Sequence, residues 1–422
     1  MWLAAAAPAA ELRVAVFRAD ATPDPGEPLI WITPAAKVED PLWAKGVIIE
    51  GGGGRYVLCA VDWCGIGGGL HRFFRDRIAK AAGTDAARVV VQTVHQHTAP
   101  YADGGGYQFL GKVPSPPLRM SGAYLDRLAA RLAQAVREAR FVAFDAVGTG
   151  AAAVEQTASA RRVFENSKLL VRYSTGGKDP HMAALPEGAI DTHIKTVTLA
   201  AGKRPLARIH FYATHPQTFC CDGRVSSDFV GAARERFEIA EGVFQLYFTG
   251  CAGDVTVGKY NDGSDAARER LAANLERGMR DAASATHLAP AANPVWRTAP
   301  LRLTPKPAPE FPAKRSGQDL YRAAISAAFA ARKAPLDTAS LELGPARMVF
   351  LPGEPMLEFQ RYAQGARGFI AVAGYGDLSP GYLVTDRAYR EGGYEPSASN
   401  AAPGTEARVK QVIDQLLGRK AR

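Results

Sequence analysis

An α/β fold of mixed β-sheets flanked by helices is what this sequence predicts, and three observations carry the prediction. Runs rich in β-branched and aromatic residues alternate with helical stretches along most of the 422 residues. Glycine and proline clusters punctuate the alternation. The spacing is too uneven for a regular eight-fold barrel, and residues of chemical interest recur where apolar strands end. Strand ends are where open α/β sheets usually put their sites.

Residues 12–17 read as a strand, and Arg18-Ala19-Asp20-Ala21-Thr22-Pro23-Asp24-Pro25-Gly26 behind them as turn chemistry. Residues 47–50 and 56–61 bracket a glycine run over 51–54 as a hairpin. The glycines at 67–69 match neither a dinucleotide nor a Walker phosphate motif and read as a flexible turn. A helix over 73–82 precedes the strand 89–94. That strand runs into His95-Gln96-His97-Thr98-Ala99-Pro100 and then breaks at Asp103-Gly104-Gly105-Gly106, a Gly-rich turn.

Tyr124, Leu125, Leu128, Leu132 and Val136 recur at helical spacing, the core-facing stripe of a helix through Ala139. Strands follow at 147–154, 169–173, 194–199 and 206–212. The last enters Thr214-His215-Pro216, where proline ends the ladder. Ser226 or Ser227 caps a helix over 228–239. The buried strand 244–249 leads into Gly250-Cys251-Ala252-Gly253-Asp254-Val255-Thr256, and a helix spans 266–282. Proline recurs through 289–313, which reads as an extended crossover within one domain. A helix over 320–332, strands at 348–351 and 369–373, and a closing helix over 409–417 complete the chain.

Hydrophobic content of 47% and charged content of 22% are those of a globular protein. No apolar run is long enough for a transmembrane helix. The net charge of +9 is scattered through helices that also carry acids, and no basic-aromatic strip or nucleic-acid motif accompanies it. The basic balance leaves room for a mild attraction to anionic substrates or for peripheral membrane contact. The five cysteines are an odd count without CxxC spacing, which argues against a disulfide framework and a cysteine zinc site. The Ala-rich start (residues 1–11) reads as a signal remnant or a disordered terminus. The compartment stays open, with secretion or the periplasm suspected from that start.

The chemistry centres on the end of the strand 89–94. In a strand, residues two apart share a face, so His95 and His97 would project together, a pairing suited to a divalent metal such as zinc. His215 occupies the same kind of position, and Glu354 follows another strand in Pro352-Gly353-Glu354. These four, with a Tyr or Asp from the last third, are the candidates for one site. Three protein ligands and an open position holding a water of lowered pKa point to amide or ester hydrolysis. Each residue also has a bland reading: an incidental His pair, a strand-end His215 bonded to backbone, a Glu354 charge at a helix N-terminus. His71, His181, His193, His210 and His287 read as surface or packing residues.

The order Arg18-Ala19-Asp20-x-Thr22-Pro23, His95-x-His97-Thr98-x-Pro100, His215-Pro216, Gly253-Asp254-Val255-Thr256 and Pro352-Gly353-Glu354 resembles the catalytic domain of the neutral/alkaline (non-lysosomal) ceramidase family. The resemblance runs from about Leu12 to Tyr394. It implies a single catalytic domain over 12–422 and zinc held by His95, His215, Glu354 and Tyr382. It gives catalytic or substrate contacts to His97, Thr256 and Tyr394, and substrate binding to Arg161. Two departures stand out. Thr256 replaces the family's serine, and the chain ends soon after the tyrosine block, where the family continues into a C-terminal β-sandwich. The expectation is a zinc-dependent amidohydrolase of an N-acyl amide, either a ceramide-like lipid or another amide or ester. The alternative is a non-catalytic zinc-containing ligand-binding protein. A third reading, Ser226 or Ser227 as nucleophile beside Asp228, is explained more simply by helix capping.

Overall fold

The computed structural model describes residues 11–113, 115–309 and 316–419. Three sheets dominate, and helices cover them, as the alternation predicts. The first sheet orders its strands Val89–Thr93, Gly54–Val61, Trp43–Gly51, Arg13–Asp20 and Val142–Ala143. The second runs Phe244–Thr249, Arg204–Tyr212, His193–Ala201, Ala146–Ala153 and His287–Pro290. The third runs Val295–Leu301, Leu336–Leu343, Ala346–Phe350 and Phe369–Ala373.

Pleat alternation explains how the first sheet is sandwiched. Along Arg13–Asp20, Val14 joins the central core shared with the other two sheets, while Ala15, Phe17 and Ala19 pack the opposite way. On that outer side lie the helix Gly68–Ala82, through Phe74 and Ile78, and the helix Gly122–Glu138, through Tyr124, Leu128 and Leu132. Ser121 starts the second helix, its hydroxyl accepting the Tyr124 N–H at 3.2 Å. Truncating buried Leu132 to Ala would cost about 2–5 kcal/mol. The third sheet packs on the helices Leu357–Gln364 and Thr405–Leu416 through Phe359, Val409 and Ile413.

Each sheet is antiparallel except for one parallel pair: Gly54–Val61 with Val89–Thr93, Arg204–Tyr212 with Phe244–Thr249, and Ala346–Phe350 with Phe369–Ala373. The C-terminal ends of these three pairs meet. The Thr93 N–H donates to the Tyr375 carbonyl at 2.8 Å, the Thr249 hydroxyl to the Val94 carbonyl at 2.6 Å, and the Gly374 N–H to the Thr249 carbonyl at 3.0 Å. Gln92 ties in the third sheet, its amide donating to the carbonyls of Leu351 and Gly374 at 3.1 and 3.0 Å. Six strand ends are thus pinned to one another, and every loop leaving them starts from a fixed point.

Several expectations change. The proline-rich stretch contains the strand Val295–Leu301. It is an edge strand, where a proline such as Pro300 need not donate to a second neighbour. Residues 310–313 of that stretch lie outside the described residues. The glycines after Asp103 do not form a turn but open the helix Gly104–Leu110, because the Asp103 carboxylate caps the Gly106 N–H at 2.7 Å. At the helix Asp228–Glu241 it is Ser226, not Ser227, whose hydroxyl accepts a helix N–H, that of Asp228 at 3.0 Å. Cys220 and Cys221 form a disulfide between neighbours, which links no separate elements; Cys59, Cys64 and Cys251 are free and buried.

Candidate metal centre

The loops from the six pinned strand ends deliver three side chains to one point. His95 lies just beyond Val89–Thr93, with φ at +74°, in the left-handed region that non-glycine residues seldom adopt. Such a conformation costs on the order of 1–3 kcal/mol and persists where the surroundings enforce it. Here the His95 N–H donates to the Trp63 carbonyl at 2.9 Å, and Nδ1 lies 2.5 Å from the Cys64 carbonyl. The two-residue strand periodicity is therefore not what pairs the histidines. The strand stops at Thr93, and the left-handed turn brings the His95 and His97 rings to 5.1 Å between centroids, nearly perpendicular.

His215 leaves the second sheet after Tyr212. Its N–H donates to the Val255 carbonyl at 3.1 Å, and Nδ1 lies 2.6 Å from the Ala252 carbonyl. Glu354 sits in a short parallel ribbon in which it is the register partner of Tyr382. Gly353 makes that ribbon possible: its φ is +64°, and a Cβ there would come within 2.7 Å of the Gly381 carbonyl. Glu354 is thus strand-paired rather than a helix N-terminal charge.

His95 Nε2 and His215 Nε2 each lie 3.1 Å from the same oxygen, Oε2 of Glu354. The Tyr382 hydroxyl is 3.4 Å from His215 Nε2. All four side chains are buried or nearly so. Both imidazoles are held at Nδ1 by backbone carbonyls, at 2.5 and 2.6 Å, so their Nε2 atoms face inward. This is the outer support that metal-ligating histidines usually have. His95 Nε2 is buried without a hydrogen-bond partner, although Glu354 is close. Two imidazole nitrogens and a carboxylate oxygen within 4.8 Å of one another fit a zinc-type donor set.

The electrostatics agree. Burial opposes charge on Glu354, yet the flanking imidazoles hold its carboxyl well below the usual carboxylate range. Burial and the nearby Arg161 push His215 down to about 4, so its lone pair is free at neutral pH. Burial also disfavours a charged His95, but Cys64 and Glu354 outweigh it and push the ring up to about 10. The Glu354 carboxylate thus draws positive charge, a proton or a metal ion, to His95 Nε2.

A second group, Cys64, His95 and His97, also has ligand atoms in range. It is the poorer donor set. Burial pushes the Cys64 thiol up, and the thiol sits 3.7 Å from His95 Nδ1, a nitrogen already bonded to the Cys64 carbonyl.

The centre opens into a cavity of about 390 Å³ whose wall includes His95, His97, Glu354, Tyr382 and Tyr394. His97 is buried, and among the described residues neither ring nitrogen has a partner. Burial and its two histidine neighbours hold it well below its ordinary pKa, so it is a neutral imidazole facing the cavity. The Tyr394 ring stands 5.6 Å from that of Tyr382. Arg161 does not line the cavity, and its Nη2 lies 3.4 Å from His215 Nε2. It donates to the Gly253 carbonyl at 2.6 Å and contacts Glu395 at 3.3 Å and the Tyr382 hydroxyl at 3.4 Å. Thr256 is also off the wall, its hydroxyl accepting the Gly258 N–H at 2.9 Å.

Tyr375 was not foreseen. Its ring stacks on His95 at 4.3 Å, its hydroxyl reaches to 3.5 Å from His215 Nδ1, and its φ is +65°. The only signal in the sequence is an aromatic between two glycines after the strand Phe369–Ala373. Glu395, which receives both Arg161 and Arg162, was missed too, since nothing in its local pattern marks it.

No protein-family model matches this sequence, and no curated protein is significantly similar to it. Solved structures do share its architecture. A crystal structure of neutral ceramidase from Pseudomonas aeruginosa superposes with a TM-score of 0.72 at 16% identity, over 97% of this chain and 74% of that one. A structure described as ceramidase complexed with C2 gives 0.73 at 15% identity, over 97% and 75%. The likeness is one of fold.

Proposed function

We propose that this chain is a zinc-dependent hydrolase of N-acyl amides, with the metal held by His95, His215, Glu354 and Tyr382. The observation that carries the reading is the convergence of two imidazole Nε2 atoms on one Glu354 oxygen at the base of a cavity. The ceramidase fold and the order of the short motifs support it. Zinc bound there supplies Lewis acidity and lowers the pKa of a water. The chain's own residues do the rest. His97, neutral and unpaired, donates a hydrogen bond to the substrate carbonyl as negative charge develops on its oxygen. Tyr394 lines the approach and fixes the amide beside it. Arg161 holds the Tyr382 hydroxyl and, through Glu395, the segment that carries Tyr394. In the reaction the acyl carbon exchanges its bond to nitrogen for one to water oxygen, and a proton passes to the departing amine.

A non-catalytic zinc protein would draw its support from the threonine at 256. That hydroxyl is engaged by Gly258 off the cavity wall, so the exchange of serine for threonine takes nothing from the cavity. Turnover of a panel of N-acyl amides, lactones and esters by the zinc-loaded protein, abolished by His95→Ala, is the expected result. Stoichiometric zinc with no turnover across the panel would favour the scaffold.

A further inference from the structure

The cavity over the metal centre carries two cations that amide hydrolysis does not require. Lys306 is half-buried in its wall, and its Nζ donates to the Pro396 carbonyl at 2.5 Å. Burial lowers its pKa, with no acid near enough to oppose the shift. Arg322, on the helix Gly317–Ala331, lies over the Trp31 ring at 3.8 Å from its centroid. Among the described residues neither cation forms an ion pair with a carboxylate. Buried Arg161 and Arg234 each have an acid partner, buried Arg172 is held by carbonyls alone, and Arg322 is exposed at the cavity.

Among the described residues, the acids near the cavity are accounted for. Glu354 is engaged by the two histidines, and Glu395 by Arg161 and Arg162. Asp319 also lines the cavity, three residues before Arg322, but its carboxylate takes the Ser316 hydroxyl at 2.7 Å. Beyond the candidate metal centre the described part of the wall therefore carries two cations against one carboxylate. A half-buried ammonium held by one carbonyl and, at 5.9 Å, the face of the Tyr389 ring still lacks a counter-charge among the described residues, and an arriving anion supplies it. A guanidinium seated over an indole, 3.8 Å from its centroid, keeps donors to offer a carboxylate.

We propose that this cavity selects amides bearing an anionic substituent, which Lys306 and Arg322 bind while the amide lies at the metal centre. The inference rests on the reading of the cavity as a substrate site. Its volume of about 390 Å³ is near the lower end for small-molecule pockets, so short-chain probes suit it.

Sulfonamides, which resist hydrolysis, separate binding from turnover. N-(hexylsulfonyl)glycine would be titrated calorimetrically against N-(hexylsulfonyl)ethanolamine, and 5-(butylsulfamoyl)pentanoate against the corresponding alcohol, so that the acid is presented at either end. In at least one pair the acid is expected to bind about tenfold tighter, on the order of 1.4 kcal/mol. The Lys306→Met/Arg322→Gln double variant is expected to bring that pair within about twofold, the scale of a lost ion pair at a partly buried site. Both side chains reach the cavity from its wall, and an unchanged melting temperature checks that the variant folds. Equal binding within both pairs, or a preference that survives the double variant, overturns the proposal. Kinetics on the matched amides distinguish the two readings. Preference in binding without hydrolysis of either amide leaves anion selection standing and removes the hydrolase. Hydrolysis of both amides with equal binding does the reverse.

Discussion

His95 and His215 come from different sheets and set their Nε2 atoms at the same distance, 3.1 Å, from one oxygen of Glu354. Each ring is locked from behind by a backbone carbonyl, of Cys64 in one case and Ala252 in the other. The arrangement is preorganised, since the carbonyls belong to loops anchored on pinned strand ends. His97 is excluded from it, with both nitrogens unpaired and turned to the cavity.

That division gives His97 a kinetic signature. His97→Ala is expected to lower kcat by about 10²–10³, the usual cost of removing one donor to a developing oxyanion, with zinc content unchanged. Steady-state kinetics on the best N-acyl amide, alongside metal analysis, test this. A kcat within about threefold of wild type would remove His97 from the reaction, since the loss expected of such a donor is far larger.

Thr256 is open to a similarly direct test. Its hydroxyl accepts the Gly258 N–H at 2.9 Å, so Thr256→Val strands a buried donor and should cost about 1–3 kcal/mol of stability. Thr256→Ser keeps the hydroxyl and should retain most of that stability. If the residue acts only through this turn, zinc-loaded Thr256→Val keeps its kcat at temperatures where it is folded. A hundredfold loss of kcat in the folded variant would give the hydroxyl a direct part in catalysis.

The outline of the fold was legible because apolar runs and helix stripes repeat over many residues. The strand Phe244–Thr249 and the helix Gly122–Glu138 follow their patterns closely. Leu336–Leu343 was missed because small and polar residues (Asp337, Thr338, Ala339, Ser340) dilute its pattern. His95, His215 and Glu354 could be named because each follows a strand end, whereas Tyr382 came only from the family resemblance. Their convergence could not be read, because it depends on three parallel pairs from three sheets ending at one place. The left-handed backbone of His95 and the stacking of Tyr375 upon it are likewise products of tertiary hydrogen bonds.

The wall behind the site contains a buried ion pair that should dominate local stability. Arg234 meets Asp62 through two bonds of 2.7 Å, with both side chains buried, and Asp62 also accepts the Trp43 N–H. Arg234→Leu leaves a buried carboxylate without its counter-charge and should cost about 3–5 kcal/mol. Urea unfolding at pH 7 measures it, and a loss below about 1 kcal/mol, a value typical of an exposed pair, would contradict the account.

His210 supplies a pH dependence away from the metal centre. Burial holds it down at about 4, while the neutral ring is satisfied by Gln245 and Thr196. The unfolded chain titrates near 6.5 and so binds the proton that the folded state refuses. Stability is therefore complete above about pH 6.5 and falls as pH drops towards 4, by about 3 kcal/mol at most. His210→Gln should flatten that slope relative to wild type in unfolding curves at pH 7 and 4.5. Identical slopes would mean the ring is not held neutral.

The most direct test of the account is zinc content in purified, zinc-reconstituted wild type, His95→Ala and His97→Ala, measured after dialysis. Stoichiometric zinc is expected in wild type and in His97→Ala, and its loss in folded His95→Ala. Zinc retained by His95→Ala, or lost from His97→Ala, would contradict the division of labour between the two histidines, and a folded wild type without zinc would contradict the centre itself.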